Sequence, residues 1–183
     1  MGLSIPFRHS DDELRAMYVG NRANGAAQRY ARFWSWMFAA GLAPGRWVTL
    51  EVPGRVSGKP TRFPLGYADL DGERYLVPML GGDCNWVKNV RAADGLVTIK
   101  HLRSTPCRLV EVPVAQSAPI LKRYVQQVPG CRPHMPVSAD DDLVAFEAIA
   151  ADYPTFRIER LARCTRPMTA GSVGRTRGAR MSR

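Results

Sequence analysis

Glycine turns set between short apolar runs constrain this chain more than any other feature. Ser57-Gly58 separates the runs Arg46–Val52 and Arg62–Tyr67, and Asp71-Gly72 leads into a third run, Arg74–Met79. Leu96–His101 and Pro106–Val112 form another pair around Arg103-Ser104. Such spacing dictates antiparallel hairpins. Pro64 marks its strand as an edge or a bulge, because proline cannot donate to a ladder. The last predicted strand is Thr155–Glu159. Helical signals are few. Ser10 caps a short helix over 11–19 with Glu13 at the capping-box position. Asn24 opens a helix ending near Gly41, with Tyr30, Phe33, Trp34, Met37 and Phe38 at i, i+3, i+4 spacing. Further helices are expected within Gly81–Ala92, where a glycine-rich loop opens a short amphipathic helix, from Ser117 to about Val128, and from Asp140 to Ala151. Many short strands with peripheral helices predict an α+β barrel or roll.

One domain is expected for 183 residues with 45% hydrophobic content. The division is an N-terminal segment 1–19, a barrel domain 20–160 and a basic tail 161–183. No run approaches the ~18 apolar residues of a membrane span, and Met1–Arg15 lacks a signal-peptide layout. Cys84, Cys107, Cys131 and Cys164 have no paired spacing, so they read as free thiols in a reducing cytoplasm.

The net charge of +10 suggests nucleic acid until it is located. From Arg157 onward eight arginines face one acid, Glu159, a net +7. Residues 168–183 hold few large apolar side chains and read as disordered. A basic arm lacks the interleaved aromatics of a single-strand binder, so no specific nucleic-acid partner is expected.

Several chemistries fall away. Cys131-x-x-His134 has metal-ligand types but no second pair at zinc spacing, so no metal site is expected. Neither a Gly-x-Ser-x-Gly elbow nor a phosphate loop is present. Asp140-Asp141-Asp142 more simply complements a helix dipole than binds a cation. What remains is Gly54 to Tyr67, with Arg55, Lys59 and Arg62 on a tight turn, followed by the glycine loop Gly81-Gly82-Asp83-Cys84-Asn85-Trp86 opening a helix. A basic hairpin beside a helix start suits a bulky anionic ligand.

The pattern Gly54-Arg55-x-Ser57-Gly58-Lys59-Pro60, Pro64-Leu65-x-Tyr67, Gly81-Gly82 and Asn85-Trp86-x-x-Asn89-x-x-Ala92 resembles the deazaflavin-dependent nitroreductase and quinone reductase family. That family comprises actinobacterial split-barrel reductases using coenzyme F-420. The resemblance runs from about Trp47 to Glu111, and more weakly to Ile158. It implies an FMN-binding-like split β-barrel. It also implies that Arg55, Ser57, Lys59 and Arg62 hold the anionic coenzyme tail, and that Pro64, Leu80, Gly81, Gly82, Asn85, Trp86 and Asn89 surround the ring. Many members carry an aromatic where this chain has Gly66, and a tyrosine where it has Val87. Both departures are expected near the substrate, so nitroimidazole activity is not carried over.

The expectation is therefore hydride transfer from reduced F-420 to a small quinone, enone or nitro acceptor. Trp34, Met37 and Phe38 are assigned to the substrate side, and Tyr67 or solvent to proton delivery. Alternatives are an FMN-dependent reductase or oxidase and a non-catalytic deazaflavin carrier. The protein is expected to be cytoplasmic, a monomer or homodimer. Arg29 and Arg32 beside the aromatics leave open a weak peripheral membrane contact.

Overall fold

A computed structural model describes residues 45–161, together with the backbone pairing of two short strands near the N-terminus, β1 (Tyr18–Val19) and β2 (Arg22–Ala23). The helix expected over 11–19 lies outside the described residues except for its last two. Those two pair as a strand, Tyr18 opposite Ala23 and Val19 opposite Arg22. The Gly20-Asn21 between them is a hairpin-turn sequence. The helix from Asn24 and the tail beyond Leu161 also fall outside the described residues.

Six strands close into an antiparallel barrel, which is the expected fold class. They are β3 (Trp47–Pro53), β4 (Pro60–Leu70), β5 (Glu73–Leu76), β6 (Leu96–His101), β7 (Arg103–Glu111) and β8 (Phe156–Arg160), in spatial order β3-β4-β5-β8-β7-β6. Pro64 lies in β4 opposite Thr49 of β3, while β5 ladders β4 only from Tyr67 to Leu70. The first half of β4 is thus paired on one side alone, where a missing N–H is tolerated.

β7 starts three residues before its expected position. Leu102 takes the turn itself at φ 57°, so Arg103 and Ser104 enter the ladder opposite His101 and Lys100. A leucine in the left-handed region gives no turn signal in sequence.

Helix α1 (Asn85–Ala92) places Trp86, Val87 and Val90 into the barrel interior, where they meet Leu50, Val52, Leu76 and Phe156. Each such side chain contributes roughly 1.5–3 kcal/mol by leaving water. The plug orders the barrel into two unlike ends. The turn between β3 and β4 lies at the α1 end. The Asp71-Gly72 turn, Leu102 and the end of β8 lie at the other. A second core lies outside the barrel. Ala68 and Val77 pack there against α2 (Ser117–Gln127) and α3 (Leu143–Ile149) through Leu121, Tyr124, Val125 and Phe146.

α3 begins later than the acidic run suggests. Asp142 caps it by accepting from the Ala145 N–H at 3.0 Å, while Asp141 accepts from the Ser138 N–H at 2.7 Å in the preceding turn. Two of the three aspartates therefore have structural work as hydrogen-bond acceptors.

Candidate functional site

The β3–β4 hairpin is rigid for chemical reasons. The Gly54 N–H donates to the Lys59 carbonyl at 2.9 Å, and the Gly58 N–H to the Gly54 carbonyl at 2.8 Å. Gly58 sits at φ +65°, a conformation that favours glycine. The Ser57 hydroxyl accepts from the Lys59 N–H at 3.3 Å. Arg55, Ser57 and Lys59 are all exposed on this frame.

The structure ties the hairpin to α1 through two amides. Arg55 Nη1 donates to Asn89 Oδ1 at 3.0 Å and to Asn85 Oδ1 at 3.4 Å, and its backbone N–H also reaches Asn89 Oδ1 at 3.3 Å. Asn89 Nδ2 donates to Thr61 Oγ1 at 3.2 Å, and that hydroxyl donates to the Val52 carbonyl at 2.8 Å. Asn89 is only 4% exposed. Arg55 is thus oriented by neutral oxygens, and among the described residues no carboxylate compensates its charge.

Arg62 differs. Its Nε donates to Glu51 Oε2 at 2.7 Å, and Lys100 Nζ shares the same oxygen at 2.6 Å. Lys100 first and Arg62 second hold the Glu51 carboxyl below the usual carboxylate range. Sequence reasoning missed Glu51, Lys100 and Thr61. Hairpin register could have found the first, because Pro53 opposite Pro60 puts Glu51 opposite Arg62.

Several residues expected around a ring have other duties. The Gly81 N–H donates to the Pro78 carbonyl at 2.9 Å, and the Gly82 N–H to the Asp152 carbonyl at 2.8 Å. Neither amide is left to face a ligand. A Cβ on Gly82 would come within 3.1 Å of Pro154 Cδ, so this glycine answers to packing. Trp86 is 5% exposed and packs edge-on against Phe156 with ring centroids 5.4 Å apart, inside the barrel. Asn85 is exposed, and Leu80 and Pro64 are half-buried. Phe63 and Leu65 flank Pro64, also half-buried, on the half of β4 that β5 leaves unpaired.

The two departures from the family pattern both lie at packed positions. A Cβ on Gly66 would lie 2.6 Å from Val128 Cγ1, so the end of α2 requires glycine there. Val87 is fully buried in the barrel. Asp83 forms an ion pair with Lys88 at 3.1 Å, and the residue before α1 is Cys84, with no side-chain cap.

Tyr67 is separated from the hairpin. It lies near the far end of β4, about 20 Å from Thr61 at strand rise, and its hydroxyl donates to the Gly45 carbonyl at 3.0 Å. The Arg74 guanidinium sits 5.0 Å from its ring centroid. Trp34, Met37 and Phe38 lie outside the described residues. Burial pushes the Cys84 and Cys107 thiols up, and that of Cys131 up to about 12, so all three are neutral thiols. Among the described residues, no group of three His, Cys, Asp or Glu could hold a metal ion, and no helix is long and apolar enough to cross a membrane.

The class that fold and site define is a small antiparallel barrel with a basic hairpin hydrogen-bonded to its plugging helix. No family model and no curated protein matches the chain. Among solved structures it is similar to an F420-H2 dependent reductase (FDR-A), at 22% identity and TM-score 0.44 over 62% of this chain and 94% of that one. It is also similar to an FAD-binding protein from Mesorhizobium loti, at 18% identity and TM-score 0.42 over 70% and 90% of the two chains. A third is a protein of the pyridoxinephosphate oxidase family from Clostridium acetobutylicum, at 14% identity and TM-score 0.43 over 63% and 75%. At these scores the likenesses assign no function.

Proposed function

We propose that this protein is an oxidoreductase that binds the reduced deazaflavin coenzyme F-420 and serves a small quinone, enone or nitro acceptor. The observation that carries the reading is Arg55. It is exposed, aimed by Asn85 and Asn89, and compensated by no carboxylate among the described residues. An arginine already oriented by neutral amides loses less freedom on meeting an anion, and keeps its full charge. Lys59 adds a second, mobile cation on the same turn. Arg62 and Lys100 lie beside them on the outer face, sharing Glu51.

The residues fit the anionic tail better than they fit the ring. With the Gly81 and Gly82 amides engaged, and Phe63 and Leu65 packed against the barrel core, the ring-side surface reduces to Asn85, Leu80 and the half-buried Pro64 on the unpaired part of β4. That strip supplies one apolar face and one amide, which suits a flat polar heterocycle. The coenzyme would supply the hydride; the chain's part is to bind, orient and exclude water. Trp86 and Asn89 act one step back, by fixing α1 in the barrel and Arg55 above it.

FMN is the second reading, and the Glu51–Arg62 pair favours it. With Arg62 partly neutralised, Arg55 and Lys59 are sufficient for a single phosphate. A small-molecule acceptor, a monomer or homodimer, and at most weak contact with anionic membranes complete the proposal. Steady-state turnover tests it: reduced F-420 should be oxidised in the presence of a quinone or enone. Binding without turnover on any acceptor would make the protein a carrier.

A further inference from the structure

A cavity of about 750 Å3 opens at the end of the barrel away from α1, and of the residues assigned to coenzyme or proton delivery only Tyr67 lines it. Its floor is the inward face of the strands: Val48, Ile99, Cys107 and Ile158. Burial keeps the Cys107 thiol neutral, so this floor carries no charge. The rim is basic. Arg74, Arg103, Arg157 and Arg160 line it with two acids, Glu73 and Glu159.

The rim cations are not equally available. Arg157 donates to Glu159 at 2.6 Å, and Arg74 pairs with Asp69 at 3.4 Å. For Arg103 and Arg160, both exposed, no carboxylate partner exists among the described residues. The chain beyond Arg160 adds six arginines and no acid, so its sequence brings no counter-charge. His101 also lines the opening. Its Nδ1 lies 3.1 Å from the Trp47 carbonyl, which only accepts, so Nδ1 carries the proton in that contact.

We propose that this barrel mouth is a second ligand site, for a small amphipathic anion. Its apolar body would lie on the Val48, Ile99 and Ile158 floor, and its carboxylate or phosphate head would meet Arg103 and Arg160. An apolar bowl favours removing hydrocarbon from water, and two guanidinium groups at its edge, without a carboxylate partner among the described residues, select the sign of the head group. The barrel plug lies between this site and the hairpin, so the proposal stands whether or not the coenzyme reading holds.

The test is calorimetric titration of the full-length protein with decanoate, decyl phosphate and decyltrimethylammonium, each below its micelle concentration. One decanoate or decyl phosphate should bind per chain, and the cationic amphiphile should not. A preference between the two anionic probes would name the head group. The double variant Arg103→Glu/Arg160→Glu should weaken anion binding by about tenfold or more, the loss of a charge-assisted contact. Both residues are exposed, so this variant should keep the wild-type Tm. Its F-420 affinity should also be unchanged. Failure of both anions to bind would overturn the proposal. So would equal binding of decyltrimethylammonium, wild-type affinity in the double variant, or a parallel loss of F-420 binding.

Discussion

Replacing Asn89 tests how the hairpin is held. Its Oδ1 accepts from the Arg55 backbone N–H at 3.3 Å and from Arg55 Nη1 at 3.0 Å, and its Nδ2 donates to Thr61 at 3.2 Å. Asn89→Ala removes all three. Arg55 Nη1 is near solvent and regains water; the backbone N–H and the Thr61 hydroxyl are part-buried and regain less. At about 1 kcal/mol per hydrogen bond, with little recovered, the loss should be about 2 kcal/mol. That corresponds to a Tm lower by about 5–8 °C for a domain of this size. Asn89→Asp separates stability from binding. It keeps both acceptor contacts but sets a carboxylate against Arg55, so it compensates the charge that attracts the anionic tail. Its F-420 affinity should fall by at least as much as in Asn89→Ala, and the salt dependence of binding should flatten. Thermal and urea unfolding with coenzyme titration measure both effects. An Asn89→Ala protein within about 0.5 kcal/mol of wild type, or an Asn89→Asp protein that binds F-420 normally, would refute the reasoning.

Other consequences follow from single residues. Gly95→Ala should destabilise by about 2–4 kcal/mol or prevent folding, since its φ is +76° and a Cβ would meet the Leu109 carbonyl oxygen at 2.4 Å; urea unfolding checks it. Gly82→Val should lower the Tm of the ligand-free protein, because the added atoms meet Pro154; an unchanged Tm with lost coenzyme binding would return the glycine to the ligand. Glu51 has a depressed folded-state pKa, so its contribution is present above the unfolded carboxyl value, about 4.3, and is lost as pH falls through the folded value. Glu51→Gln should therefore lose less stability than wild type between about pH 5 and pH 2, read from urea midpoints. Burial raises the Cys131 thiol to about 12, so iodoacetamide should label it in the native protein far more slowly than in urea at pH 8.

The barrel was legible because its turns are. Asp71-Gly72 and Ser57-Gly58 sit between apolar runs, and both hairpins form with register following from those turns. The turn at Leu102 was not, because no residue there advertises a left-handed backbone. The candidate site was half legible. Arg55 and Asn85 meet through a hydrogen bond at the α1 end, with Lys59 exposed on the same turn as Arg55. The duties of Gly82, Trp86 and Gly66 were hidden, because each is set by a partner far along the chain: Asp152, Phe156 and Val128. A local motif shows which residues could meet a ligand, but not which have been claimed by packing. The arginines at the barrel mouth are scattered from Arg74 to Arg160, so only closure of the barrel brings them to one rim.

The coenzyme assignment is tested most directly by equilibrium titration of the full-length protein with F-420 and with FMN, in wild type and Arg55→Ala, at low and high salt. F-420 should bind more tightly than FMN. Arg55→Ala should cost about 1.5–3 kcal/mol, the range for a hydrogen bond to a charged group, and wild-type affinity should fall as salt is raised. Tighter binding of FMN, or F-420 binding indifferent to both Arg55 and salt, would contradict the assignment of the hairpin to the coenzyme tail.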